Sequence, residues 1–192
     1  MNTFMHKNLP RFYHFINQFD KNHIRKLDKK IGIIYRNYSE KSNESLILEI
    51  KNYCKKVNKK FFIAKDFNLA IKLNLDGVYL PSFYKILNTK RNTKKKFSII
   101  GSAHSVSEIK IKEKQGAELI FISPIFKAKK SNKFLNVIKF NYLTLITKRN
   151  VIALGGIDDN NLNKLRITNS FGFASISYFA KHGSISSLIC AK

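Results

Sequence analysis

Cysteine is almost missing from this chain, with two in 192 residues, Cys54 and Cys190, far apart in sequence. Two thiols make neither a disulfide framework nor a Cys-rich zinc centre, so both are read as buried thiols in a reducing cytoplasm. Proline (3) and glycine (8) are also scarce, which excludes a collagen-like or loop-dominated chain. No run approaches the roughly 18 apolar residues that a membrane span needs. The stretch from Met1 to Asp20 is charged and broken by polar residues, unlike the apolar core of a secretion signal. Acidic residues are few as well: 12 Asp and Glu face 36 Lys and Arg, a formal net charge of +24.

Such an excess suits an anionic partner, whether nucleic acid, a membrane surface or a phosphorylated metabolite. It does not choose among them. The excess is mostly lysine, spread over the whole chain, with clusters at Lys94-Lys95-Lys96 and between Lys127 and Lys133. No helix-turn-helix signature, zinc-knuckle spacing or RNA-recognition strand motif goes with it. The charge is therefore read as compositional drift, and neither nucleic acid nor a membrane is the expected partner.

What is present is apolar material. Hydrophobic residues make up 44% of the chain, including 16 Phe, enough for a large core in one domain over residues 1–192. Eight short β-rich apolar runs stand out, at 12–16, 31–35, 61–64, 77–80, 97–100, 119–122, 151–154 and 171–176. Their length and lack of alternation suit strands buried on both faces. Helical patterns separate them. Between Ser42 and Asn58, the residues Leu46, Ile47, Ile50, Tyr53, Cys54 and Val57 fall on one stripe of a 3.6-residue period. Between Leu135 and Lys148 the apolar set is Val137, Ile138, Tyr142, Leu145 and Ile146. Asp158-Asp159 opens a third helix. Around Ile109 to Lys114, Ser105 with Glu108 three residues on forms a capping box that favours helix over strand.

Strands alternating with helices predict βαβ units on a parallel sheet, and eight repeats predict a compact (β/α)8 TIM barrel. An open doubly wound sheet is the alternative, weakened because no Gly-x-Gly-x-x-Gly follows the first strand. In a barrel, chemistry belongs at the carboxyl ends of the strands. Polar residues fall there: Arg36, Lys65 and Asp66, Ser82, Ser102 and His104, Ser123 with Lys127, Lys129, Lys130 and Lys133, Gly155-Gly156, and Ser177. Gly155-Gly156 after strand seven and Ser177 after strand eight suit a phosphate held by backbone N–H groups. His104 is the one histidine at a predicted strand end. It is either a proton shuttle or a loop anchor. His14, inside strand one, is expected packed or hydrogen-bonded within the barrel. His6, His23 and His182 are expected at the surface. Asp66 is the sole candidate metal ligand.

These residues carry a resemblance. Asp76-Gly77-Val78-Tyr79-Leu80, Gly101-Ser102-Ala103-His104-Ser105, Gly116-Ala117-Glu118, Ser123-Pro124-Ile125-Phe126, Ala153-Leu154-Gly155-Gly156-Ile157 and Gly172 through Ser177 follow in order. Together, from about Arg11 to Phe179, they resemble the thiamine phosphate synthase/TenI family. The resemblance implies a TIM barrel and a thiamine-biosynthetic enzyme. A pyrimidine diphosphate and a thiazole phosphate would be its small-molecule substrates, with diphosphate lost. It implies Arg36, Lys65 and His104 as catalytic residues, and Ser102, Tyr79 and Ser123 as substrate contacts. Gly155, Gly156, Ser177, Lys129 and Lys130 would hold phosphate. It also implies Mg2+ as cofactor, with Asp66 as ligand. The sequence departs from the family where the second magnesium Asp would stand, near Tyr84. After strand two only Arg36 of the family's basic motif remains, and the threonines after strand six are absent. A TenI-like tautomerase using His104, and a non-catalytic binder of a phosphorylated ligand or nucleic acid, are the alternatives.

Overall fold

Each apolar run becomes a strand because its backbone needs lateral partners and both of its faces are apolar. In the computed structural model, which describes residues 9–38, 43–87, 97–128 and 132–185, all eight strands are parallel. They are β1 (Phe12–Ile16), β2 (Ile31–Tyr35), β3 (Phe61–Ala64), β4 (Gly77–Leu80), β5 (Ser98–Ala103), β6 (Leu119–Ile122), β7 (Asn150–Leu154) and β8 (Gly172–Ser175). They pair in sequence order, and β8 pairs with β1, so the sheet closes into a barrel without edges. The open-sheet alternative is thereby excluded.

Alternation along the strands divides the core in two. Tyr13, Phe15, Ile34, Phe62, Tyr79 and Phe121 are among the residues filling the barrel. The Phe121 ring lies edge-on to Tyr13 (5.0 Å), Tyr79 (5.5 Å) and Phe15 (6.2 Å). Such pairs each contribute about 0.5–1.5 kcal/mol beyond area burial. Phe12, Ile33, Ile63, Val78, Ile120 and Phe173 point the other way, toward the helices.

The helices are α1 (Lys21–Lys26), α2 (Glu44–Lys56), α3 (Phe67–Lys72), α4 (Val106–Lys114), α5 (Asn136–Leu145) and α6 (Ser177–His182), with a 3-10 turn at Leu162–Ile167. Side-chain caps fix four of the starts: Asp20 accepts the His23 N–H, Asn43 that of Leu46, Asp66 that of Leu69, and Ser105 that of Glu108. The crossing from β4 to β5 has no helix among the described residues.

Several expectations need correction. The fifth strand runs on to Ala103, so Ser102 lies within the strand rather than past its end. On α5 the buried residues are Phe140, Leu143 and Thr144, while Ile138, Tyr142 and Leu145 stand exposed. The helix is apolar on both sides, so its pattern did not select a face. The segment after Asp158-Asp159 is a 3-10 turn, not an α-helix. His14 is not inside the barrel. Tyr13 and Phe15 take the inward positions, so His14 points outward, 3% exposed, against Phe179 of α6. His23, expected at the surface, is half-buried, and its Nε2 lies 2.9 Å from that of His14.

Cys54 is buried as expected, and burial pushes its thiol up to about 12. Cys190, His6 and the lysines at 94–96 lie outside the described residues. Two lysines are buried rather than solvated. Lys59 donates to the carbonyls of Leu27 (3.0 Å) and Asp28 (2.7 Å) at the end of α1, and Lys112 sits beneath the β4–β5 crossing. Among the described residues, no helix is long and apolar enough to cross a membrane.

Candidate active site

The carboxyl ends of the strands gather the sequence-predicted residues around one mouth. Arg36 follows β2, where its backbone N–H donates to the Ile16 carbonyl at 2.8 Å. Its guanidinium lies over two rings, 5.2 Å from the Phe15 centroid and 5.8 Å from that of Tyr38. This cation–π stacking orients a planar cation at the mouth without neutralising it. Lys65 follows β3 with φ of 72°, a left-handed backbone, and its N–H donates to the Tyr79 carbonyl at 2.8 Å. Its side chain is exposed.

Below the mouth, Tyr79 and Ser102 form a polar floor. The Tyr79 hydroxyl is hydrogen-bonded with Ser102, and burial holds its phenol well above the usual range. Ser123 is also buried. Its carbonyl accepts the Nδ1–H of His104 at 2.7 Å, and its hydroxyl lies 3.2 Å from the same nitrogen. A carbonyl only accepts, so the His104 proton belongs on Nδ1, and the neutral ring keeps its lone pair on Nε2. Glu108 fixes the backbone behind it, its Oε2 accepting the His104 N–H at 2.6 Å. His104 is therefore an exposed imidazole held in a single orientation.

On the other side, Gly155 (φ 93°) and Gly156 (φ 72°) turn the chain after β7. A Cβ at 155 would stand 2.9 Å from the Pro124 Cα, and one at 156 only 2.2 Å from the Phe126 carbonyl oxygen. The glycines thus let this turn lie flat on the loop after β6. The two loops are joined by hydrogen bonds from Ile125 N–H to the Leu154 carbonyl (3.0 Å) and from Phe126 N–H to the Gly155 carbonyl (3.1 Å). Ser177 is the first residue of α6. Among the described residues, no acceptor takes the N–H of Gly156 or of Ser177. Lys129 and Lys130 lie outside the described residues.

Asp66 has another task. It caps α3, its Oδ1 accepting the Leu69 N–H at 2.9 Å. Among the described residues, no three His, Cys, Asp or Glu side chains gather as a metal site. Mg2+ prefers one or two carboxylates besides substrate oxygens. Asp66 is one such carboxylate, engaged as a cap, and Tyr84 stands where a second acid would, so these residues offer Mg2+ a single carboxylate.

Sequence reasoning missed the rim. Tyr38, after β2, and Phe83, after β4, are 48% and 58% exposed, and their rings meet at 5.5 Å. The only signal was an aromatic residue shortly past each strand end.

The chain is similar to known proteins in sequence and in fold. Residues 25–179 match the family model described as thiamine monophosphate synthase. A putative thiamine-phosphate synthase 2 of Aquifex aeolicus is 29% identical over 183 residues, covering 89% of this chain and 98% of the relative. A thiamine-phosphate synthase of Prochlorococcus marinus is 33% identical over 121 residues, 62% of this chain, which spans only 35% of that longer relative. Among solved structures, the thiamine phosphate pyrophosphorylase of Pyrococcus furiosus superposes with a TM-score of 0.74 over 92% of this chain and 93% of its own. At 18% identity that likeness speaks for the fold. With a closed eight-stranded barrel and a family match over most of its length, the chain belongs to the thiamine monophosphate synthase (TMP-TENI) family.

Proposed function

We propose that this mouth joins a pyrimidine methyl diphosphate to a thiazole phosphate, giving thiamine phosphate and free diphosphate. One observation carries the reading: two groups of candidate anion donors stand at separate strand ends of the mouth. Arg36 and Lys65 stand on neighbouring strand ends, β2 and β3. The N–H groups of Gly156 and Ser177, which no acceptor takes among the described residues, follow β7 and β8, and β1 separates β8 from β2. A reaction between two phosphorylated substrates needs two such groups, whereas a one-substrate isomerisation needs one.

The step balances without a proton donor. The C–O bond between the pyrimidine methylene and the diphosphate breaks, and the diphosphate leaves with the electron pair. The thiazole nitrogen lone pair then forms the new C–N bond, leaving a thiazolium. Negative charge grows on the leaving oxygen, where Arg36 and Lys65 are placed to receive it. At the ends of β7 and β8, the Gly156 and Ser177 amides hold the thiazole phosphate. No step here is routed through magnesium: Arg36 and Lys65 carry the leaving-group charge in this reading.

A second reading has its own observation. His104 presents a free Nε2 from a ring whose Nδ1–H is fixed by the Ser123 carbonyl. That suits a proton shuttle in a TenI-like thiazole tautomerisation. One assay separates the two. The protein is incubated with both substrates, with Mg2+ or with excess EDTA, and thiamine phosphate is followed by chromatography. The synthase reading expects product in both conditions, at rates within about threefold, and little change in His104→Ala. Product only with Mg2+ contradicts the assignment of the leaving-group charge to Arg36 and Lys65. No product from folded protein, with thiazole tautomerisation lost in His104→Ala, establishes the second reading instead.

A further inference from the structure

Lys112 is fully buried, an unusual place for an ammonium. Its Nζ donates three hydrogen bonds, to the carbonyls of Pro81 (2.8 Å) and Tyr84 (2.8 Å) and to Oε1 of Gln115 (2.9 Å). Those are all the donors an ammonium has. Gln115 completes the cluster, its Nε2 donating to the carbonyls of Tyr84 and Ile86, each at 2.9 Å. The Lys112 stem passes over Gly101 of β5, where a Cβ would stand 2.8 Å from the Lys112 Cδ. Burial lowers the lysine to about 8, against a smaller opposing effect of Glu108.

The cluster answers a local need. The segment after β4 has no helix among the described residues, so its carbonyls lack the donors a helix would supply. Lys112 and Gln115, from the neighbouring helix and its end, supply them. The segment they hold carries Phe83, which packs on Tyr38, whose ring faces the Arg36 guanidinium. A continuous line of contacts runs from a buried lysine at the barrel flank to the cation at the mouth.

We infer that Lys112 is a positioning residue for the substrate site: it pins the β4–β5 crossing so that Phe83 and Tyr38 form a fixed aromatic rim, on which a heteroaromatic ring stacks beside Arg36. The inference rests on the mouth being the substrate site. The rim is exposed because its partner is the ligand, and the ring chemistry that fits it is a flat heteroaromatic carrying phosphate.

The test is a double-mutant cycle read by calorimetry with thiamine phosphate, together with amide hydrogen exchange on the unliganded protein. Lys112→Met keeps the apolar stem and removes the donors. Phe83→Ala removes the rim and leaves the cluster intact. Each single variant weakens thiamine phosphate binding about tenfold. The double variant binds as Phe83→Ala does, within about twofold, because both act through one element. In Lys112→Met, exchange at 82–87 quickens at least tenfold while the strands keep their protection. Losses that multiply in the double variant, or unchanged exchange at 82–87, overturn the inference. Wild-type protein that does not bind thiamine phosphate sinks the functional reading, and exchange at 82–87 and 36–38 then decides the positioning role by itself. Should Lys112→Met not fold, Gln115→Leu removes the amide bonds to Tyr84 and Ile86 and gives the same two readouts.

Discussion

Arg36→Ala is expected to lower kcat/KM for thiamine phosphate formation about 100-fold, with little change in melting temperature. The magnitude follows from Coulomb energy. Two unit charges about 4 Å apart interact by roughly 4 kcal/mol at an effective dielectric of 20. The guanidinium is only half-buried, so solvent screening brings this to about 2.7 kcal/mol, which corresponds to a factor of about 100. Stability is spared because the structural bond at this position is made by the backbone N–H, which alanine keeps. Arg36→Lys restores only part of the loss, since an ammonium supplies charge but not a plane that stacks between Phe15 and Tyr38. Wild-type turnover in Arg36→Ala would remove the leaving-group role.

Acid is expected to unfold this protein through His14. Its Nδ1–H donates to the Ser175 carbonyl at 3.0 Å, so the neutral ring accepts at Nε2 from His23 at 2.9 Å. A proton added to His14 Nε2 meets that partner donor to donor, in a site closed to water. Burial is the main cause that lowers His14 from 6.5 to about 4; the Ser175 bond opposes it, and His23 adds to it. The unfolded chain therefore binds the proton more readily between those two values. Stability is full above pH 6.5 and declines as pH falls toward 4. The full difference is worth roughly 3 kcal/mol at 1.36 kcal/mol per pH unit. Urea unfolding at pH 7 and pH 4.5 checks this against His14→Gln. The wild type should lose about 2 kcal/mol more than the variant over that interval. Parallel losses in the two proteins would contradict the assignment. The position also links acid to the site, because Ser175 receives the His14 bond and its Oγ accepts the Tyr178 N–H just behind Ser177.

The barrel was legible because eight apolar runs each met the same physical demand, burial on both faces. Where that demand is shared between faces, the sequence says less. On α5, apolar residues lie on both sides, and only packing against the barrel decides that Phe140 and Leu143 turn inward. The apolar run ends at residue 100, yet the backbone continues β5 through Gly101-Ser102, where Gly101 gives room to the Lys112 stem. His14 was misplaced although the rule that places it is simple: with Tyr13 and Phe15 inside, the residue between them faces out. At the site, strand ends located Arg36, Lys65, His104 and the Gly155-Gly156 turn. What each does there was less legible. Asp66 reads as a candidate metal ligand, and only the fold shows the Leu69 N–H on it. The Lys112 cluster joins residues some thirty positions apart, and no local pattern announces it.

The central claim is that one mouth holds two anions at once, at separate strand ends. The direct test is a calorimetric titration of the wild type with thiazole phosphate, with and without saturating inorganic diphosphate. The account predicts one site for each ligand and an affinity for thiazole phosphate that diphosphate leaves unchanged or strengthens. Competition between the two, with thiazole phosphate displaced as diphosphate fills the mouth, would mean a single anion site and would contradict a reaction between two phosphorylated substrates here.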